Sequence, residues 1–220
     1  MLARAVIFDM DGLMLDTEPI YKAAWQGAAA KCGYVLSDET YSQLLGRSRA
    51  DAEQVLMEEF GSLFPLNVFR SACQECETSA FTASPLPKKR GLDDLLALLD
   101  ARHIPKAVAT STVRQKALQL LSSTGLLDRF DVVTTGEEVA NGKPSPDIFL
   151  LAAQRLGIGH SDCLVLEDSE LGVIAAHRAE MQVYLVPDIK APSELVTRLA
   201  SGTFNSLAAV AMHLERVLIK

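Results

Sequence analysis

A doubly wound α/β core with a parallel sheet, interrupted after its first strand by a helical domain, is the architecture that the sequence predicts. Three observations carry it. Short apolar runs without alternation recur along the chain, and helical patterns lie between them. One long stretch, from about Thr17 to about Ser84, holds helical patterns and no convincing strand. Short β-branched runs without alternation fit strands buried on both faces, as in a parallel sheet, and regular strand–helix alternation fits a doubly wound core.

The first run is Ala5-Val6-Ile7-Phe8, ending in Asp9. Others are Ala107-Val108-Ala109, Asp131-Val132-Val133, Cys163-Leu164-Val165-Leu166 and Val183-Tyr184-Leu185-Val186. Leucines at helical spacing predict helices over 91–102, 113–123 and 146–156. Ser145 reads as an N-cap with Pro146 at the first helical position, and Ser169 opens another helix through Ala179. Ala179-Glu180-Met181 ends that helix, and a left-handed residue is expected at such an end. Within the insertion, residues 19–32, 49–60 and 66–81 are the best helices. The expected division is 1–16 with 85–220 as core and 17–84 as helical cap. The connections are Asp16–Glu18 and a Pro85- and Pro87-bearing segment, so the cap is expected to hinge as a lid.

Composition agrees with a globular chain of this kind. Among 220 residues, 49% are hydrophobic and 22% charged. A chain this long buries roughly 70% of its unfolded surface, so no staples are needed. Lys+Arg is 21 against Asp+Glu 28, giving 21 − 28 = −7. That balance disfavours nucleic-acid and anionic-membrane binding, and a small anionic substrate must then be held by local cations or a metal. No membrane span or signal peptide is evident. A cytoplasmic monomer is expected. Cys73 and Cys76 form a C-x-x-C without a second pair inside an expected helix, and they read as helix-face thiols in a reducing compartment. The chain has no Walker A loop and no G-x-G-x-x-G.

In open parallel sheets, ligands sit beyond the carboxyl ends of the strands, so the strand ends locate the chemistry. The first ends in Asp9-Met10-Asp11-Gly12, the second in Thr110-Ser111-Thr112, and the fourth in Glu167-Asp168-Ser169. Lys143 stands in Gly142-Lys143-Pro144 before a helix. The hard oxygens of Asp9 and Asp168 suit Mg²⁺, while Thr110 and Lys143 suit phosphate oxygens. Taken singly, each element has an ordinary explanation. Asp-x-Asp is common turn chemistry, acids are common at helix starts, and a loop lysine is usually solvated. Their coincidence is the signal. Thr112 reads as a helix cap, and Asp147 as a residue that stabilises its helix start. His103, His160, His177 and His213 match no motif.

The stretch from Phe8 to Glu18 resembles the first motif of the haloacid dehalogenase-like hydrolase superfamily. Thr110, Gly142-Lys143-Pro144 with Pro146-Asp147-Ile148-Phe149, and Leu166-Glu167-Asp168-Ser169 resemble its other motifs, in order. The insertion is placed as in the β-phosphoglucomutase-like and sugar-phosphatase branch, with a Rossmann-like core. The resemblance implies an Mg²⁺-dependent phosphatase of small phosphate monoesters. Asp9 would be the nucleophile that forms an aspartyl phosphate, and Asp11 the general acid and base. Asp9, the Asp11 carbonyl and Asp168 would bind Mg²⁺, with Glu167 a direct or outer ligand. Thr110 and Lys143 would bind the phosphoryl group, assisted by Ser111. In the cap, Gly46-Arg47-Ser48-Arg49 places Arg49 where related mutases bind substrate phosphate. Tyr21 stands where the mutase has a histidine, which favours the phosphatase, and both are candidate substrate contacts. Trp25 reads as cap core. A phosphomutase and a non-catalytic binder on the same fold are the other classes.

Overall fold

The computed structural model describes residues 3–45, 49–83 and 86–218. Gly46, Arg47 and Ser48, and the Ser84-Pro85 part of the second connection, lie outside the described residues. The chain divides into two compact units, residues 1–16 with 87–220 and residues 17–86.

The first unit is built on six parallel strands in the order β3-β2-β1-β4-β5-β6. They are β1 Ala5–Phe8, β2 Lys106–Thr110, β3 Val132–Thr135, β4 Cys163–Glu167, β5 Gln182–Leu185 and β6 Gly202–Thr203. Every residue of β1, β2 and β4 is buried, which explains why those strands read as continuous apolar runs. One face carries Ile7, Ala107, Ala109 and Val165 against Ile148, Phe149 and Ala152 of α7 (Asp147–Leu156) and Val173 and Ala176 of α8 (Glu170–Arg178). Strand alternation turns Val6, Phe8, Val108, Leu164 and Leu166 to the other face. Phe8 there meets Phe130 edge-on at 5.5 Å. Helix α5 (Leu92–Ala101) buries Leu92, Leu95, Leu96 and Leu99 and packs on α10 (Leu207–Leu218). Strand order reverses between β1 and β4, which places the crevice of a doubly wound sheet at their carboxyl ends.

The second unit contains α1 (Glu18–Lys31), α2 (Asp38–Leu44), α3 (Arg49–Phe60) and α4 (Leu66–Ala83). Its core joins Ala28, Tyr41, Leu56, Phe64, Phe69 and Cys73, and Trp25 packs edge-on against Tyr41 and Phe69. Cys73 is buried, and burial pushes its thiol up to about 12, with Glu77 adding to it, as fits a thiol packed in a helical core. All four cysteines are free.

Several elements differ from the sequence reading. Helix α7 begins at Asp147, one residue later than expected, and Ser145 donates its Oγ hydrogen to Asp147 at 2.6 Å instead of capping a backbone amide. Thr112 is not a helix cap, because α6 (Arg114–Ser123) starts after Val113. Helices α2, α9 (Glu194–Leu199) and α10 and the two-residue β6 were not anticipated.

Helix α8 ends as expected. Met181 N–H bonds Ala176 O, and Glu180 N–H bonds His177 O. This Schellman-type end needs a left-handed residue, and Glu180 supplies it with φ +56°. A side chain is disfavoured there by about 1–2 kcal/mol relative to glycine. Glu180→Gly should therefore raise stability by about 1 kcal/mol once the greater freedom of unfolded glycine is subtracted. Thermal unfolding reads this directly, and a lower melting temperature would refute it.

Candidate active site

The turn after β1 is set by what it buries. Met10, Leu13, Met14 and Leu15 are almost wholly inaccessible, so their side chains anchor a loop that leaves the polar residues at the strand end. Asp9 N–H extends the ladder to Leu166 O at 3.0 Å, which holds Asp9 beside the end of β4. Gly12 turns the chain at φ +82°. A Cβ there would come within 3.0 Å of Asp168 Cγ and 3.3 Å of Asp188 Oδ2, so only glycine lets the turn lie against those carboxylates.

Lys143 is brought in by the loop before α7. Its side chain is 7% exposed, and its ammonium donates to Asp9 Oδ1, to Glu167 Oε1 at 2.6 Å and to Ala109 O at 3.2 Å. The Phe149 ring lies 4.9 Å away. Burial alone would lower the Lys143 pKa, but Asp9 and Glu167 outweigh it and hold it above the usual lysine value. Burial raises the Asp9 carboxyl to about 7; Lys143 opposes the rise, and Glu167 and Asp11 add to it. The Asp168 carboxyl is also raised, by burial first and then by Glu167 and Asp9.

Glu167 is wholly buried, and both of its oxygens accept hydrogen bonds. Oε1 takes Lys143, while Oε2 accepts from Asp168 N, Ser169 N and Ser169 Oγ, each at 2.9 Å. Ser169 also caps α8 through Gly172 N, and a Cβ on Gly172 would overlap the Glu167 carboxylate. Glu167 thus ties the lysine to the start of α8.

At the end of β2, Thr110 is buried and donates to Asp11 Oδ2 at 3.3 Å. Thr112 makes the tighter contact, its Oγ1 donating to the same oxygen at 2.7 Å, and its N–H donates to Thr110 Oγ1. The sequence reading missed this role for Thr112. Ser111 is exposed, and its carbonyl packs on Gly136, where a Cβ would lie 2.7 Å away.

Lys143 thus links Asp9 to Glu167, Thr110 and Thr112 hold Asp11, whose charge acts on Asp9, and Asp168 borders Gly12. Ser111 stands beside them on the Thr110 loop. Tyr21 and Arg49 belong to the helical unit. Tyr21 meets Phe81 edge-on at 5.5 Å. Arg49 Nε donates to buried Glu53 at 3.2 Å, and Arg70 grips the same carboxylate with two bonds.

The donor set fits a hard divalent cation. Asp9, Glu167 and Asp168 face one buried ammonium, leaving negative charge to be neutralised. Among the described residues no three His, Cys, Asp or Glu side chains converge as a ready-made ligand cage. Mg²⁺ needs none, because it is commonly held by one or two carboxylates and retains waters.

A family model described as haloacid dehalogenase-like hydrolase matches residues 6–186. The chain belongs to the haloacid dehalogenase-like hydrolase family. Among its relatives is the Phosphorylated carbohydrates phosphatase of Thermotoga maritima, 34% identical over 178 residues, which cover 81% of this chain and 82% of that protein. Fructose-1-phosphate phosphatase YqaB of Escherichia coli is 34% identical over 178 residues, 80% of this chain and 92% of that one. The crystal structure of CbbY from Rhodobacter sphaeroides in complex with phosphate is similar at TM-score 0.81 and 26% identity, over 95% of this chain and 96% of that one.

In this hydrolase the raised Asp9 carboxyl makes stability depend on pH. An acid with a higher pKa in the fold than in the unfolded chain binds its proton more tightly in the fold. The Asp9 contribution to stability therefore falls as pH rises from the unfolded value of 3.8 to about 7. Lys143→Met removes the cation that opposes this. In chelator at pH 8 the variant should lose about 3–5 kcal/mol, the cost of stripping one partner from a buried pair. Part of the loss should return at pH 5, where Asp9 is protonated. Thermal unfolding at both pH values checks this, and equal losses would show that the Asp9 charge is not the cause.

Proposed function

We propose that the protein is an Mg²⁺-dependent phosphatase that hydrolyses small phosphate monoesters, sugar phosphates among them, through an aspartyl phosphate on Asp9. The observation that carries this reading is the Lys143 clamp on Asp9 Oδ1, beside Asp11 held by Thr110 and Thr112. The two relatives described above are named as phosphatases, which favours hydrolysis over phosphoryl shuttling. The Asp9 and Asp168 carboxylates and the Asp11 carbonyl are the proposed metal donors, and Glu167, with Oε1 on Lys143 and Oε2 on three donors of its own loop, is the proposed outer residue. The bound ion would neutralise charge between the carboxylate and the phosphate dianion.

With Oδ1 held by Lys143, Asp9 attacks phosphorus through its carboxylate, the ester P–O bond breaks, and Asp11 gives the leaving oxygen a proton. Water then attacks phosphorus and yields its proton to Asp11, releasing phosphate and restoring Asp9. Lys143 and Thr110 stabilise the phosphoryl oxygens, with Ser111 assisting. In the helical unit, Arg49 and Tyr21 are the proposed substrate-selecting residues. Among the described residues no helix is long and apolar enough to cross a membrane. The four free thiols support a reducing, cytoplasmic setting, and the proposed working form is a monomer.

Phosphate release from a panel of monoesters, with Mg²⁺ and with chelator, tests the activity. Asp11→Ala tests the mechanism. General acid–base help is worth about 10²–10⁴-fold, and a sugar alkoxide needs it where p-nitrophenolate hardly does. The variant should release a burst of nitrophenol and then turn over slowly, because the second step still lacks its base. Equal loss of the first step for both substrates, without a burst, would remove Asp11 from acid–base chemistry.

A further inference from the structure

Asp188 lies in the loop after β5, and none of the roles above uses it. Its side chain is 13% exposed. Oδ1 accepts from Lys89 Nζ at 2.5 Å, and Lys89 also donates to Asp16 Oδ1 at 2.9 Å. Lys89 is itself fixed, because its N–H bonds Met14 O while Asp16 N–H bonds Pro87 O. Oδ2 of Asp188 is buried and has no hydrogen-bond partner among the described residues. That atom borders Gly12 on the side where the Asp168 carboxylate also lies. The Asp188 charge is also among those that raise the Asp168 carboxyl.

A buried carboxylate oxygen without a donor is costly, and two acids on one face of a glycine repel each other. Lys89 compensates one oxygen of Asp188 and leaves the other facing the proposed metal corner. We propose that Asp188 is a positioning residue of that metal site, its Oδ2 accepting a hydrogen bond from a water of the hydrated Mg²⁺ ion while Lys89 holds the carboxylate from behind. This rests on reading the site as an Mg²⁺ site. Mg²⁺ keeps several waters, so an outer acceptor has something to grip, and such outer partners commonly change metal affinity 10–100-fold. Asp16 shares Lys89 but lacks the orphaned oxygen, so it serves as the control for the ion pair alone.

Calorimetric titration of Mg²⁺ into metal-free protein, with thermal unfolding in chelator, separates the roles. Asp188→Asn keeps the shape and an oxygen for Lys89, and its Mg²⁺ Kd should weaken about 10–100-fold. Asp16→Asn should stay within about threefold of wild type, since a charge behind Lys89 is screened. If the asparagine variant does not fold, Asp188→Ser, whose shorter side chain cannot reach the same water, should show the same loss. Wild-type affinity in Asp188→Asn would overturn the inference alone. So would equal losses in the Asp16 and Asp188 variants that track their melting temperatures, because Asp188 would then be only an anchor for Lys89. A wild-type protein that binds no Mg²⁺ would overturn the metal-site reading and this inference with it.

Discussion

A lysine ammonium cannot sit wholly inside a protein without anionic partners, and two adjacent buried carboxylates cannot both stay ionised without a cation. Lys143, Asp9 and Glu167 meet both requirements at once, and much of the first unit is arranged around that contact. Asp9 follows β1 and Glu167 ends β4, so the pairing of those two strands sets the carboxylates side by side. Lys143 arrives from the loop before α7, reaching across 134 residues of sequence to Asp9. The contact therefore reports on strand order, on loop placement and on α7 packing together.

Small residues let the backbone approach this centre. Gly12 brings the first turn against Asp168, and Gly172 opens room for the Glu167 carboxylate beneath the first turn of α8. Gly136 does the same for the Ser111 carbonyl at the end of β2. At each position a methyl group would strike a polar group that the proposed chemistry uses or that holds one in place. The apolar packing below supplies the rigidity: Phe149 both closes the core against the sheet and lies beside the Lys143 ammonium. Electrostatic preorganisation of this kind needs a scaffold that does not relax when charge moves.

The parts legible in the sequence were those with local signatures. Strands β1, β2 and β4 are buried on both faces, so each reads as an unbroken apolar run, and Ser169 announces α8 as an N-cap. The left-handed end at Glu180 follows from a helix that must stop before a strand. Helix α2 has seven residues and β6 only two, too short to show a period. Helix α10 carries Leu207, Val210 and Leu214 at helical spacing and could have been found. Contacts between distant side chains leave no local trace. Thr112 sits just before a helix and so resembles a cap, yet its hydroxyl serves Asp11, 101 residues earlier. Lys89 and Asp188 are ordinary loop charges in sequence, 99 residues apart, and only the fold joins them.

The central role is that of Asp9, proposed to carry phosphate during turnover. Rapid mixing with p-nitrophenyl phosphate and Mg²⁺, quenching with borohydride and mapping the peptides by mass spectrometry tests it most directly, because an acyl phosphate is reduced where it forms and aspartate becomes homoserine. Homoserine is expected at position 9, with aspartate unchanged at position 11. Turnover with position 9 unmodified, or the change at position 11 instead, would contradict it.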